Sequence, residues 1–415
     1  MTRNRLAFFK GNLSNRKIFF LLLAVWFFAV ITSRPVSVRE PFRYGSFIKK
    51  DISQINSDEL HVNFYYLVFQ NPYNGQAHLY VKKYIETHPE DGPDKNGGVS
   101  HLLKRNIRVG IPILANLFRL QVWHFYILQF VAAFVFLILL YKTILIVNLN
   151  KPEQAFWFVL AFACSIIFKQ FFIDPGHWDV YAWLFMMLTI WLALKGNLLF
   201  ILTFTFALLT DERTLFSIPV IAILLWCQAL VPERERKLMK FINGCTVALI
   251  ILFIWRYHFI NTVNDRDFSG ISVRYIIYNL RAIASSLFLS YEFLWLLAYA
   301  VLVFIIKSRM YKQVAIIAFL FLPSLLVTFM VADLARSIGY LFPFFILIIQ
   351  QYQQSAIATG VISIKHVAIL NAVFPSYYPF LYSSTISDYP PFWGFYELVV
   401  PAFNWASELL DKLLL

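Results

Sequence analysis

From residue 18 onward, long apolar runs alternate with short polar segments along the chain. The runs lack the two-residue alternation of a membrane β-strand, and several reach or approach the ~20 residues with which an α-helix crosses the hydrocarbon core. The pattern predicts an all-α fold, a polytopic transmembrane helical bundle of about eleven spans. The predicted spans cover approximately 18–33, 122–145, 156–173, 180–194, 198–209, 215–230, 241–255, 287–306, 314–331, 338–349 and 361–374.

The predicted spans divide the chain into five segments. In order they are a basic tail (1–17), the first span (18–33), a long outer loop (34–120), the bundle (121–375) and an outer segment rich in aromatic residues and proline (376–415). Within the long loop we expect helices over 57–69 and 76–87. Residues 88–98, rich in Pro, Gly and Asp, predict a surface turn, and the apolar residues 107–120 predict an interfacial or re-entrant helix.

Composition and charge agree with this topology. The chain is 60% hydrophobic and 14% charged, whereas soluble domains carry about 25% charged residues. Much of the net charge of +13 comes from basic residues in the tail and short loops, as the positive-inside rule describes. The tail places the amino terminus in the cytoplasm, and the basic loops 233–240 and 307–312 fall on the same side. Because no cleavage site follows the first span, we expect that span to be retained.

Three charged motifs stand at the outer ends of predicted spans: DPGHWD at 174–179, TDERT at 210–214 and DLARS at 333–337. Two of them adjoin the short spans 198–209 and 338–349, which would draw the charges toward the membrane. Ionisable residues at a bilayer boundary are costly and mark candidate functional sites, so we expect one shared site. Its candidate substrate-binding residues are Asp174, His177, Asp179, Asp211, Glu212, Arg213, Asp333 and Arg336.

Each motif also has a plain structural interpretation. DPGHWD could be a polar hairpin, or it could bind sugar hydroxyls or a divalent metal, which needs at least three converging ligands. TDERT could be a tight turn with an internal ion pair. Asp333 and Arg336 could pair on one helix face because they are three residues apart. Arg256 and the charged residues at 265–267 give a further outer loop with a weaker signal.

The long outer loop supplies the candidate catalytic residues, Asp58 and Glu59, in the motif SDELH at 57–61. On a helix their side chains point about 100° apart, so one could act as a general base while the other orients the substrate. The alternative is a helix amino terminus capped by Ser57, with both acids near the positive end of the helix dipole.

Two further candidate binding residues, Arg105 and Arg108, precede an apolar segment that contains Pro112. Guanidinium groups at an interface suit bidentate contacts with phosphate oxygens. The alternative is that both side chains extend to lipid headgroups.

With this architecture, the motifs SDELH, RNIRVGIPIL at 105–114 and TDERT resemble those of the GT-C superfamily of membrane glycosyltransferases, specifically its bacterial multi-spanning members. The resemblance implies an inverting enzyme that takes a sugar from a polyprenyl-phosphate donor. The acidic pair would supply the base, and Arg105, Arg108 or Arg213 would hold the phosphate. Asp51 or Glu40 could hold the base's role instead, since the pair lies about 25 residues beyond the first span.

The resemblance further implies a multi-pass protein of the bacterial inner membrane whose active site faces the periplasm. Its partners would be membrane lipid, a polyprenyl-phosphate-linked sugar and a glycan, lipid or protein acceptor, without a cofactor and with a divalent metal left open. The alternatives are a polysaccharide polymerase or ligase, a transporter or flippase of a lipid-linked anion, and a non-catalytic assembly subunit. The sequence has no P-loop or dinucleotide fingerprint and no nucleic-acid-binding motif, and its three cysteines lack metal-ligand spacing.

Overall fold

A computed structural model gives the structure of the protein. It describes residues 15–33, 46–89, 100–147, 151–173, 178–228, 231–263, 276, 283, 286–330, 334–359, 363–373, 376–378 and 387–389. Within these ranges the regular structure is helical, apart from a two-stranded antiparallel pair formed by β1 (Ser376–Tyr378) and β2 (Ser387–Tyr389). The fold is therefore all-helical in its main body.

The first helices belong to the amino-terminal span and the outer loop. They are α1 (Asn15–Thr32), α2 (Ser57–Gln70), α3 (Gln76–Thr87), α4 (Ser100–Asn106) and α5 (Gly110–Phe118). The central helices are α6 (Val122–Val147), α7 (Pro152–Cys164), α8 (Ile166–Ile173), α9 (Asp179–Leu194), α10 (Phe200–Thr210), α11 (Ile218–Gln228) and α12 (Val231–Val263). The last are α13 (Leu294–Lys307), α14 (Tyr311–Phe329), α15 (Leu334–Gly339), α16 (Phe342–Thr359) and α17 (Ile364–Val373).

Two helices are long and apolar enough to cross a membrane, α6 and the Glu233–Val263 part of α12. A third candidate is the pair α7 and α8, bent by 67° at their junction, if the pair forms one span. Five shorter apolar helices accompany them: Asp179–Leu194, Phe200–Thr210, Leu294–Lys307, Phe342–Tyr352 and Ile364–Val373. The described ranges thus contain two or three candidate membrane-spanning helices, and the total of about eleven stays a prediction.

The apolar body is built around α6, α9 and α10. Helix α9 packs against both α6 and α10, and α10 also packs against α12. Aromatic rings fill the space between the helices, as where Phe136 stacks on Phe162 at 5.6 Å between centroids. At Gly339 an added Cβ would overlap the indole of Trp183. Residue 339 must be small because α15 approaches α9 so closely, and this contact brings the end of α15 to the start of α9.

The outer-loop helices are confirmed almost residue for residue. The predicted helix over 57–69 is α2 (Ser57–Gln70), and the one over 76–87 is α3 (Gln76–Thr87). The interfacial segment 107–120 contains α5, which runs from Gly110 to Phe118. Most of the surface turn at 88–98 and most of the segment 376–415 lie outside the described residues.

Four other predictions need correction. The span 156–173 is not continuous, because the chain bends at Ser165, whose Oγ donates to the Phe162 carbonyl at 2.6 Å. Residues 233–240 are not a loop but the first turns of α12. The span 215–230 divides into a 3-10 helix (Glu212–Ser217) and α11. The short span 338–349 is interrupted between α15 and α16, and α16 continues to Thr359.

Candidate functional site

Charged side chains from six elements, or from residues directly next to them, meet where α9 begins. Asp179 is the first residue of α9, Asp211 follows α10, and Glu212 and Arg213 open the 3-10 helix. Arg108 precedes α5, Arg256 lies in α12 and Arg336 in α15. We call these seven residues the charged cluster.

The TDERT motif folds into a capped turn. The Asp211 carboxylate accepts a hydrogen bond from the Arg213 backbone N–H at 2.9 Å, and Thr214 Oγ1 donates to the Asp211 carbonyl at 2.9 Å. Side chains of this kind compete with helical hydrogen bonding and favour turns. This is why α10 ends at Thr210 and why Asp211 and Arg213 stay next to each other.

Arg213 occupies the buried centre of the cluster. Its Nε and Nη2 form a fork on the Asp211 carboxylate, at 3.0 Å to Oδ1 and 2.6 Å to Oδ2. Nη2 also donates to Asp179 Oδ1 at 2.6 Å, and Nη1 donates to Ser337 Oγ at 2.9 Å. The guanidinium lies 5.0 Å from the centre of the Tyr340 ring. One side chain therefore joins α9, the end of α10 and α15.

The remaining members form a partly exposed rim around this centre. Arg108 Nη1 lies 3.0 Å from Asp211 Oδ2 and 3.6 Å from Asp179 Oδ1. Arg256 Nη2 lies 3.3 Å from Glu212 Oε1, and Arg336 Nη1 lies 3.3 Å from Asp179 Oδ2. The exposed fractions of the rim side chains are 21% for Arg108, 30% for Glu212, 34% for Arg256 and 17% for Arg336. Solvent or a ligand headgroup can therefore reach them.

When all its groups are ionised, the charged cluster has four guanidinium groups against three carboxylates and so one positive charge in excess. Burial alone would lower the pKa of Arg108, but the carboxylates of Asp211 and Glu212 raise it above its ordinary value. Such a site attracts an anion. No group of three His, Cys, Asp or Glu side chains in the described ranges converges as metal ligands would.

The acidic pair on α2 lies apart from the charged cluster. Glu59 accepts from the Asn56 backbone N–H at 3.1 Å and from Lys50 Nζ at 2.6 Å, while the Asn56 side chain accepts from the Glu59 N–H. This reciprocal arrangement is a capping box, with Asn56 rather than Ser57 as the cap. Hydrogen bonds from Lys50 and from the Asn56 backbone lower the pKa of Glu59. Glu59 therefore has a structural role at the helix start.

Asp58 is exposed on the same turn of α2, and its side chain points about 100° away from that of Glu59. Asp58, His61 and Tyr65 follow one face of α2 because residues three and four apart on a helix are neighbours. Burial lowers the pKa of His61, whose Nδ1 lies 2.7 Å from the Ser57 carbonyl oxygen. The Tyr65 ring centre lies 6.0 Å from that of Trp178, the residue before Asp179. This face of α2 thus leads from Asp58 toward the charged cluster.

The structure brings six of the predicted site residues together. These are Arg108, Asp179, Asp211, Glu212, Arg213 and Arg336. Arg105 points to α2 instead, where its Nη1 donates to the Tyr65 hydroxyl. Asp174, His177 and Asp333 lie outside the described residues, as does the predicted pairing of Asp333 with Arg336. The internal ion pair expected in TDERT is present between Asp211 and Arg213, and Arg213 also reaches Asp179.

The sequence analysis gave too little weight to one charged residue and did not include two others among the candidate functional residues. Arg256 was assigned to an outer loop but lies in α12 and contacts Glu212. Lys169 in α8 and Glu292 before α13 are buried and interact electrostatically. A lysine inside the apolar run FKQFF is itself a signal that could have been used, since charges in membrane segments are rare and functional by default.

Gly110 sets the distance between α5 and the end of α10. An added Cβ there would overlap Thr210 Oγ1 and lie 2.8 Å from the Thr210 backbone N. We expect Gly110→Ala to lower the free energy of unfolding by about 1–3 kcal/mol through overpacking, as measured by thermal unfolding in detergent. Leu117→Ala, an exposed position on the same helix, is the control with little effect. Equal stability of the two variants would show that α5 is not held against α10.

The chain was compared with protein-family models, with curated proteins and with solved structures. None of the three comparisons finds a match. The function must therefore be argued from the geometry of the site.

Proposed function

We propose that the protein is an inverting membrane glycosyltransferase with a GT-C-like architecture. It transfers a sugar from a polyprenyl-phosphate donor to a glycan, lipid or protein acceptor on the non-cytoplasmic face of the bacterial inner membrane. The support comes from the charged cluster at one end of the apolar helices α9 and α10 and from the face of α2 that leads from Asp58 to Tyr65, which contacts Trp178.

The observation that carries the proposal is the excess of partly exposed arginines on the rim of the charged cluster. Arg108, Arg256 and Arg336 each contact a carboxylate and each keep part of their surface open. Guanidinium groups bind phosphate oxygens through paired hydrogen bonds. A lipid-linked phosphate stays at the membrane boundary, where these arginines lie if α9 and α10 are embedded in the bilayer.

In the proposed reaction, Asp58 accepts the proton of an acceptor hydroxyl. The hydroxyl oxygen attacks the anomeric carbon of the donor sugar from the face opposite the phosphate, and the bond between that carbon and the phosphate oxygen breaks. The bonding electrons leave with the polyprenyl phosphate, whose charge the rim arginines stabilise. Inversion by a carboxylate base parallels inverting glycoside hydrolysis.

The position of Asp58 suits this role better than that of Glu59. From Asp58 to Tyr65 the helix rises about 10 Å, and Tyr65 contacts the residue before Asp179. The donor sugar would occupy the space between Asp58 and the charged cluster. Glu59 is held by Lys50 and the Asn56 backbone, and its lowered pKa makes it a weaker base.

A separate observation favours transport of a lipid-linked anion as a second candidate function. Lys169 and Glu292 are buried charges in the apolar body, and Lys169 lies one turn after the bend between α7 and α8. Broken helices with polar groups away from the membrane surface are typical of transporters. In contrast, the charged cluster concentrates seven ionisable groups at one end of α9, which favours chemistry there.

The deciding experiment uses the full-length protein in proteoliposomes with polyprenyl-phosphate donors that carry a radiolabelled monosaccharide or oligosaccharide. Release of polyprenyl phosphate together with label on an added acceptor supports a glycosyltransferase. Labelled oligosaccharide transferred as a block would instead indicate a polymerase or ligase. Donor that crosses the bilayer and stays intact would indicate a transporter. If the donor is neither consumed nor moved across the bilayer, the protein would be a non-catalytic assembly subunit.

Arg108→Gln should raise the KM for the donor by about 10- to 100-fold, since a hydrogen bond to a charged group contributes about 1.5–3 kcal/mol. The turnover number should change less, because the arginine binds the phosphate in both the ground state and the transition state. Arg119→Gln, an exposed position just after α5, is the matched control. Equal KM values for the two variants would show that Arg108 does not bind the donor.

A further inference from the structure

Three lysines surround the end of α9 that lies opposite the charged cluster. The Nζ atoms of Lys195 and Lys142 lie 4.0 and 5.9 Å from the centre of the Trp191 indole ring. Lys237 Nζ donates to the Leu194 carbonyl at 3.3 Å. Because α9 has 16 residues, this group lies about 24 Å from the charged cluster.

The local backbone explains why lysines gather here. Helix α9 ends in a left-handed turn at Gly196, where the Gly196 N–H donates to the Ala193 carbonyl and the Asn197 N–H to the Leu192 carbonyl. The carboxyl end of a helix carries a partial negative charge of about half an electron. That partial charge attracts lysine side chains, but it is too small to neutralise the three positive charges.

Among the described residues, few acids lie close in sequence to these lysines. Glu233 and Glu235 in the first turns of α12 are matched in number by Arg234 and Arg236. The three lysines therefore remain as surplus positive charge at this end of the helices. Lys142 and Lys195 are exposed, so that charge is open to a ligand.

An apolar surface continues from the lysines along α10 and α12. Leu198, Leu199 and Leu202 on one side and Met239 on the other are each more than half exposed. The two helices pack closely beneath them, with 5.6 Å between the ring centres of Phe200 and Phe241. A ligand at this place would meet cations at one end and hydrocarbon along its length.

We propose that Lys142, Lys195 and Lys237 form a binding site for an anionic phospholipid. The lysines hold the headgroup phosphate, Trp191 provides an amphipathic ring at the headgroup level, and the acyl chains lie along α10 and α12. Basic pockets between membrane helices bind anionic headgroups in this way. The site is separate from the proposed transfer reaction and stands on its own contacts.

The test measures phospholipid binding to the full-length protein in detergent by native mass spectrometry. The probes are phosphatidylglycerol, phosphatidylcholine and inorganic phosphate. We expect retention of phosphatidylglycerol over phosphatidylcholine and an affinity about 30-fold lower in Lys142→Gln/Lys195→Gln, as expected for the loss of two cations near an anionic headgroup. The matched control Lys307→Gln/Arg309→Gln removes two exposed charges at the carboxyl end of α13 and should bind as the wild type does.

Each other outcome overturns the proposal. Equal binding of the two phospholipids would show that charge does not select the ligand. An equal loss in the control variant would indicate general attraction to a basic surface. If millimolar inorganic phosphate displaces the lipid completely, the lysines bind a free anion and not a phospholipid. Thermal unfolding of both variants shows whether each remains folded, and both replace exposed side chains.

Discussion

Replacing Asp58 by Asn should reduce the turnover of sugar transfer by about 100- to 10,000-fold, the range that a general base contributes. Asn keeps the size of the side chain but does not accept the proton of the acceptor hydroxyl. The KM for the donor should change little, because the donor phosphate is held at the charged cluster. The measurement is the initial rate of release of polyprenyl phosphate at saturating donor and acceptor.

Glu59→Gln is the matched control for this prediction. Gln at the third position of a helix still completes a capping box, so α2 should keep its start and the protein its stability. We expect the turnover of Glu59→Gln to stay within a few-fold of the wild type. If the large loss falls on Glu59→Gln and not on Asp58→Asn, the two acids exchange roles. Wild-type turnover in both variants would exclude the pair as the source of the base.

Arg213→Met should lower the free energy of unfolding by about 3–5 kcal/mol, the range for breaking a buried ion pair by removing one partner. The substitution leaves the buried carboxylates of Asp179 and Asp211 without their closest guanidinium, and the longer contacts of the partly exposed Arg108 replace it only in part. Met fills much of the same volume, so the loss reflects charge more than packing. Thermal and denaturant unfolding in detergent, followed by tryptophan fluorescence, measures the change.

Arg256→Met makes the same replacement on the rim of the charged cluster. Its ion pair with Glu212 is about one-third exposed on both sides, and pairs of this kind contribute about 0–1 kcal/mol. The double variant Asp211→Asn/Arg213→Met should recover part of the stability because it removes one of the two buried carboxylates that Arg213 contacts. If Arg213→Met is as stable as Arg256→Met, water reaches the centre of the charged cluster.

Local sequence signals were sufficient for the outer-loop helices. Helix α2 begins as predicted, although its cap is Asn56 and not Ser57. The capping box of Asn56 and Glu59 depends only on residues three apart. Helix α6 was predicted from a single uninterrupted apolar run, and the structure extends it by two residues. Such features need no knowledge of distant parts of the chain.

Long-range pairing and helix breaks could not be predicted in the same way. The three motifs indicated a shared site, but the contact of Arg213 with Ser337 joins residues 124 positions apart. No Gly or Pro in the sequence predicts the bend at Ser165, where the side chain forms a hydrogen bond to the Phe162 carbonyl. Arg256 reaches the charged cluster only because α12 extends well beyond its apolar centre.

Helix α12 connects the two ends of the protein. Lys237 and Arg256 lie on this one helix, and 19 residues of helix correspond to about 28 Å. The hydrocarbon layer of a typical bilayer is about 30 Å thick. If α12 crosses the membrane, a bilayer of this thickness leaves both the lysine site and the arginine rim at the water boundary. A thinner bilayer would tilt the helix, and a thicker one would thin around it. Membrane thickness thereby becomes a variable that acts on both sites at once.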